Sequence, residues 1–178
     1  EVCSKRYFDL EVQPGRRKNE FHAICNLMDR YAYGGHPIFI ADRGFSSYNV
    51  FAHAIENQID FIIRAKDLNV QRFLRVNSLP DKLDTTVELI LTRTQSKKKH
   101  QHPEKEAQYR YICKNIAFDY LDPNDISDEY RLKLRIVRFE VADGIFENII
   151  TTLSEEDFTS DDIKYCYNLR WGIMPISA

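Results

Sequence analysis

The chain has 178 residues, with 25 Lys and Arg against 27 Asp and Glu and a formal net charge of −2. That length buries a core without disulfide or metal staples, and 43% hydrophobic with 29% charged residues excludes disordered and collagen-like classes. The near-neutral balance also excludes a globally basic nucleic-acid glove, leaving room only for a local basic face. The chain opens on Glu1 rather than Met and stops at Pro175-Ile176-Ser177-Ala178, so we expect a piece of something longer. Cysteines fall at 3, 25, 113 and 166 with no Cys-x-x-Cys pair, the pattern of free thiols. The start is polar and charged, not a signal peptide. The apolar runs, such as 37–41, fall far short of the ~18 residues of a membrane helix. The expectation is a cytoplasmic protein with no membrane partner.

Residues 7–13 alternate, with Phe8, Leu10 and Val12 on one face, which predicts a strand. Pro14-Gly15 ends it and Arg16-Arg17-Lys18 follows. Asn19 is a helix cap, and Phe21, Ile24, Cys25, Met28 and Ala32 form the helix's apolar stripe. Gly34-Gly35 stops it. Pro37-Ile38-Phe39-Ile40-Ala41 is a continuously apolar run, as in a strand buried on both faces. After Asp42-Arg43-Gly44, Ser46 or Ser47 caps a second helix that buries Val50, Phe51, Ala54 and Ile55. Residues 59–66 form the next strand. Beyond Asp67 the texture becomes strand-rich, with predicted strands at 87–94, 109–120, 130–141 and 146–153 and no long helix between them. Asp143-Gly144 is a hairpin turn. The alternation slips phase at Val137, which predicts a bulge there. Residues 95–106 are a polar loop. Thr159 or Ser160 caps a last helix, with Asp161 and Asp162 in its first turn.

Several groups could carry chemistry. Asp42 follows a buried strand, where open α/β sheets place their sites. It has two readings, as a Mg²⁺ ligand or as a cap for the following turn. Tyr167, Arg170 and Met174 share one helical face. Tyr167 with Arg170 could hold a phosphate; alternatively Tyr167 and Trp171 are core aromatics and Arg170 is a surface cation. The runs 16–18 and 97–100 read as phosphate contacts or as solvated loops. His100-x-His102 lacks a third ligand for a metal. No Gly-rich phosphate loop, Gly-x-Ser-x-Gly elbow or His-Glu-x-x-His is present.

Pro37-Ile38-Phe39-Ile40-Ala41-Asp42-Arg43-Gly44-Phe45 resembles the strand of bacterial DDE transposases that carries their second catalytic aspartate. Tyr167-Asn168-Leu169-Arg170-Trp171-Gly172-Ile173 resembles the opening of the Tyr-x2-Arg-x3-Glu-x6-Lys signature of the insertion-sequence-four family. The resemblance implies an α/β (α+β) fold: a ribonuclease-H-like core in 1–66 and 154–178, incomplete at both ends and interrupted by an antiparallel β-rich insertion in 67–153. It implies three carboxylates holding two divalent ions, Mg²⁺ or Mn²⁺, about 3.5–4 Å apart, for cleavage and transfer of DNA strands. Asp42 becomes a catalytic metal ligand, and Tyr167 and Arg170 become DNA-phosphate contacts, with Arg64 and Lys66 as further DNA contacts. DNA is the implied partner, with a homodimer on DNA. The sequence departs from the pattern twice. Met174 stands where the third acid belongs, and residues 1–6 contain no aspartate for the first. A thioether is a poor ligand for a hard cation.

These departures lead to the expectation of an inactive transposase fragment that binds metal weakly or not at all. The competing expectations are a non-catalytic remnant that binds transposon DNA or a partner transposase subunit, and an unrelated α/β hydrolase or nuclease. The last requires Asp9, Glu11, Lys66 or Asp67 to cluster around Asp42. Geometrically, Asp42 is expected at the carboxyl end of a central strand, with Tyr167 and Arg170 facing it. The missing first strand is expected to leave a core edge exposed, giving poor stability or association in isolation.

Overall fold

In the computed structural model, which describes residues 7, 9–16 and 18–170, local signals start most of the helices. The Asn19 side chain accepts from the His22 N–H at 3.1 Å and opens α1 (Glu20–Asp29), which buries Cys25 and Met28. The Ser47 hydroxyl accepts from Val50 N–H and opens α2 (Tyr48–Glu56). Thr159 and Asp162 form a reciprocal capping box at the start of α4 (Ser160–Leu169). Between these lies α3 (Asp67–Leu74), a helix the sequence reading misses. Lys66 makes no side-chain cap bond for it, so its start leaves no local mark.

The strands form one six-stranded mixed sheet among the described residues, in the order β1-β2-β6-β5-β3-β4. Strand β1 (Ile38–Ala41) runs parallel to β2 (Asp60–Ala65), with Ala41 opposite Ile63. On its other side β2 pairs antiparallel with β6 (Ile145–Thr151), with Arg64 opposite Ile149. Strand β5 (Glu129–Ala142) joins β6 through the turn at Asp143-Gly144, where Gly144 takes a φ of +68° that favours glycine. Strand β3 (Leu83–Thr92) pairs with β5 and, in parallel, with the short β4 (Tyr109–Tyr111). The sheet therefore runs without a break from the 38–65 stretch into the β-rich stretch.

Both faces of the central strands are covered. Phe61, Ile63 and Ile150 pack with Val50 and Phe51 of α2 in the larger core, where the Phe51 and Phe61 rings stack at 5.1 Å. Ile62 and Ile149 pack on the opposite face with Ile163 and Tyr167 of α4. This double cover explains the phase slip in β5. Ile136 and Val137 are both buried and the ladder continues through them, so no bulge forms at Val137. The register shift lies instead between Glu140 and Ala142.

Two expected strands also differ. Residues 7 and 9–13 form no strand, and Leu10 and Val12 are exposed; Phe8 lies outside the described residues. Arg30 at the end of α1 pairs with Asp9 at 2.7 Å and with Glu11, while Asn26 donates to Glu11, so the segment is held to α1 rather than to a strand. Strand β1 thus has one described neighbour and edges the sheet, not its centre as expected. Beside it runs an apolar groove of about 850 Å³, lined by Met28, Tyr31, Phe39, Cys166 and Leu169 among others. The expected strand at 109–120 shortens to β4. The rest is an irregular loop that buries Ile112 and Phe118, pinned by the buried Arg93, which donates to the carbonyls of Cys113, Ile116 and Phe118.

Two polar clusters fix the layers. Arg135, buried on β5, donates to both Asp84 oxygens at 2.7 and 2.6 Å and to the carbonyls of Ser154 and Phe158. His53 of α2 sits between Asp29 of α1 at 2.7 Å and Asp119 of the loop at 2.9 Å. Burial pulls its imidazole down, but the two carboxylate hydrogen bonds and their charges outweigh this and raise its pKa.

Replacing Arg135 with Met removes the counter-charge of Asp84, which keeps only the Ser160 hydroxyl, and takes one donor from the Ser154 and Phe158 carbonyls, so urea denaturation is expected to show a loss of about 3–5 kcal/mol. For His53 the folded pKa lies above the unfolded one. Its contribution is complete below the ordinary imidazole value of about 6.5 and is lost as pH rises through the raised folded value. Denaturation midpoints across that range should lose this dependence in His53→Gln.

Candidate functional site

The parallel strands β1 and β2 end on the same side, and α4 crosses their outer face. Asp42 directly follows β1. Its Oδ1 accepts from the Arg43 N–H at 2.7 Å and caps a short 3₁₀ turn at 43–45, so the capping reading of this residue holds. Its side chain remains 47% exposed, and Oδ2 faces Arg170 Nη1 at 3.8 Å.

Arg170 sits at the C-cap of α4, where a cation complements the negative helix end. Its guanidinium carbon lies 5.2 Å over the Tyr167 ring, and Nη2 donates to the Tyr167 hydroxyl at 3.3 Å. With its side chain 19% exposed, Arg170 is not the free surface cation of the bland alternative. Tyr167 is fully buried and is a core aromatic. Burial raises the pKa of its phenol; Arg170 and Arg64 oppose the rise, while Asp42 and Glu147 add to it. The structure thus places Tyr167, Arg170, Asp42, Arg64 and Glu147 in one electrostatic neighbourhood.

Arg64 lies on the α4 side of β2 and pairs with Glu147 of β6 at 2.9 Å. The register explains the contact. Arg64 is opposite Ile149, and Glu147, two residues away, projects from the same face. The sequence reading does not single out Glu147. Its only local signal is a carboxylate within the apolar run Ile145-Phe146-Glu147-Asn148-Ile149-Ile150. Lys66, just past β2, is exposed. Met174 and Trp171 lie outside the described residues.

The other candidates go elsewhere. Asp9 and Glu11 serve Arg30. Asp67 accepts from Arg138 at 3.0 Å and Asn148 at 2.6 Å; burial raises its pKa, and these two donors more than reverse that. His100 stacks on Tyr109 and meets Glu106, while His102 meets Glu104 and Arg131, so the two rings do not converge. In the 16–18 run, Arg17 lies outside the described residues.

The described residues do not assemble a two-metal centre. Asp42 faces a guanidinium, and among the described residues no group of three or more His, Cys, Asp or Glu is placed to hold a metal ion. What the site can do is grip an oxyanion with Arg170, held in place by the Tyr167 hydroxyl and ring. Urea denaturation should separate the two parts of Tyr167. Tyr167→Ala empties a core site and costs about 3–5 kcal/mol, while Tyr167→Phe loses only a hydrogen bond, about 1 kcal/mol.

A family model described as a transposase DDE domain matches residues 7–173. The mixed α/β sheet with its helices is consistent with a ribonuclease-H-like domain of that kind. No curated protein and no solved structure matches the sequence.

Proposed function

The chain belongs to the transposase DDE domain family, whose members act in DNA transposition, and on that premise we propose that its site binds DNA phosphate but does not cut. In this reading 1–66 and 154–178 form the catalytic core, 67–153 is inserted into it, and the protein works in the cytoplasm, as a dimer on DNA. One observation carries the proposal: among the described residues, Asp42 looks onto Arg170 rather than onto a second carboxylate. A guanidinium there repels a divalent ion and attracts a phosphate.

Arg170 supplies the phosphate fork. Tyr167, being buried, acts through Arg170 by holding its guanidinium over the ring. Arg64 and Lys66, at the end of β2, extend the basic edge along the DNA backbone. Asp42 keeps the catalytic position of the family's second aspartate. Family members generally use divalent ions for cleavage and strand transfer, and Mg²⁺ or Mn²⁺ would serve a complete carboxylate set. Met174 at the third acid's position supports loss of that chemistry.

A supercoiled-plasmid assay with Mg²⁺ or Mn²⁺ tests inactivity. No nicked product is expected, and metal-dependent nicking that Asp42→Ala abolishes would overturn the proposal. Duplex binding followed by anisotropy tests the phosphate grip. Arg170→Ala is expected to weaken it roughly tenfold and to flatten the salt dependence by about one phosphate contact. Binding that persists without cutting supports a DNA-binding remnant. Absence of binding refutes the phosphate reading altogether.

A further inference from the structure

Glu147 has no place in the transposase signature, yet it holds one of the cations assigned to DNA. Its carboxylate lies 2.9 Å from Arg64 Nη2, with the Glu147 side chain 12% and the Arg64 side chain 28% exposed. Glu147 has therefore given up most of its hydration. Arg64 is its ion-pair partner, and the Lys164 ammonium lies 5.4 Å over the neighbouring Phe139 ring. Phe139 lies directly opposite it on β5, and the same sheet face carries Ile62 and Ile149, on which Tyr167 of α4 packs. Arg64 keeps the greater share of solvent contact and is the partner a solute reaches first.

We propose that Glu147 is an internal competitor for DNA: its carboxylate occupies the Arg64 guanidinium, and a phosphate must displace it before Arg64 contributes to binding. The inference rests on the reading of Arg64 as a DNA contact. The two guanidiniums are then each matched to an acid, Asp42 with Arg170 and Glu147 with Arg64. Carboxylate and phosphate seek the same planar fork, so the exchange gains little when both are present. Without the carboxylate, a partly buried guanidinium is left without its counter-charge, and phosphate becomes its best partner. Glu147 thereby sets affinity without itself touching DNA.

The test is anisotropy of a short random-sequence duplex, titrated with the full chain at several salt concentrations. Glu147→Gln keeps the shape and removes the charge. It is expected to bind roughly tenfold tighter, with the slope of log affinity against log salt steeper by about 0.9, one added phosphate contact. Arg64→Ala should erase that gain when combined with Glu147→Gln, since Glu147→Gln leaves no carboxylate for the truncation to strand. Glu147→Asp, which keeps the charge but shortens its reach, should give a smaller gain in the same direction and serves if Glu147→Gln fails to fold. Equal or weaker binding by these variants, or a gain that survives Arg64→Ala, overturns the proposal. If binding depends on Arg170 while the Glu147 variants change nothing, this inference alone fails. If no variant binds duplex, the phosphate reading falls with it.

Discussion

The position of the site depends on how α4 is anchored, and that anchoring runs through Arg135. One buried guanidinium joins Asp84 of β3 to the carbonyls of Ser154 and Phe158, which lead into the helix. Asp84 in turn accepts from the Ser160 hydroxyl in the first turn of α4 at 2.6 Å. The Arg135 hydrogen bond comes first among the causes that hold the Asp84 carboxyl below its usual range, against the opposing effect of burial, with Ser160 adding to it. With its start fixed there, α4 runs about 15 Å at 1.5 Å per residue and delivers Arg170 beside Asp42. The placement of Arg170 beside Asp42 thus depends on a cation that touches neither.

The sheet supplies the rest of the geometry. Parallel β1 and β2 bring Asp42 and Lys66 to one end, and antiparallel β6 lays Glu147 beside Arg64. Each guanidinium is then matched to an acid from another element, Arg170 to Asp42 and Arg64 to Glu147.

What could be read from the chain alone was what is decided locally. Asn19, Ser47 and Thr159 announce their helices because a cap is a contact over three residues. The apolar run 37–41 and the Asp143-Gly144 turn are equally self-contained. The alternation in 7–13 shows only that a strand could form, and the competing grip of Arg30 on Asp9 and Glu11 depends on a helix end some twenty residues away. Helix α3 begins without a capping side chain, and the loop after β4 owes its shape to Arg93. At the site, Asp42, Tyr167 and Arg170 were legible through motif spacing. Glu147 was not, because only the β2–β6 register places it against Arg64.

That register also has a kinetic side. Strand β2 has a nearby partner in β1, but its other edge waits for β6, and the Thr151 hydroxyl closes on the Phe61 carbonyl across 90 residues of chain. Closing so long a loop costs entropy before its contacts repay it. On the ribosome, the β1-α2-β2 unit emerges well before β6 is made. Until then Phe61 and Ile63 can pack on α2, while Ile62 and Arg64 face solvent with neither α4 nor Glu147 to cover them. The electrostatic balance of the site is therefore among the last features the nascent chain acquires.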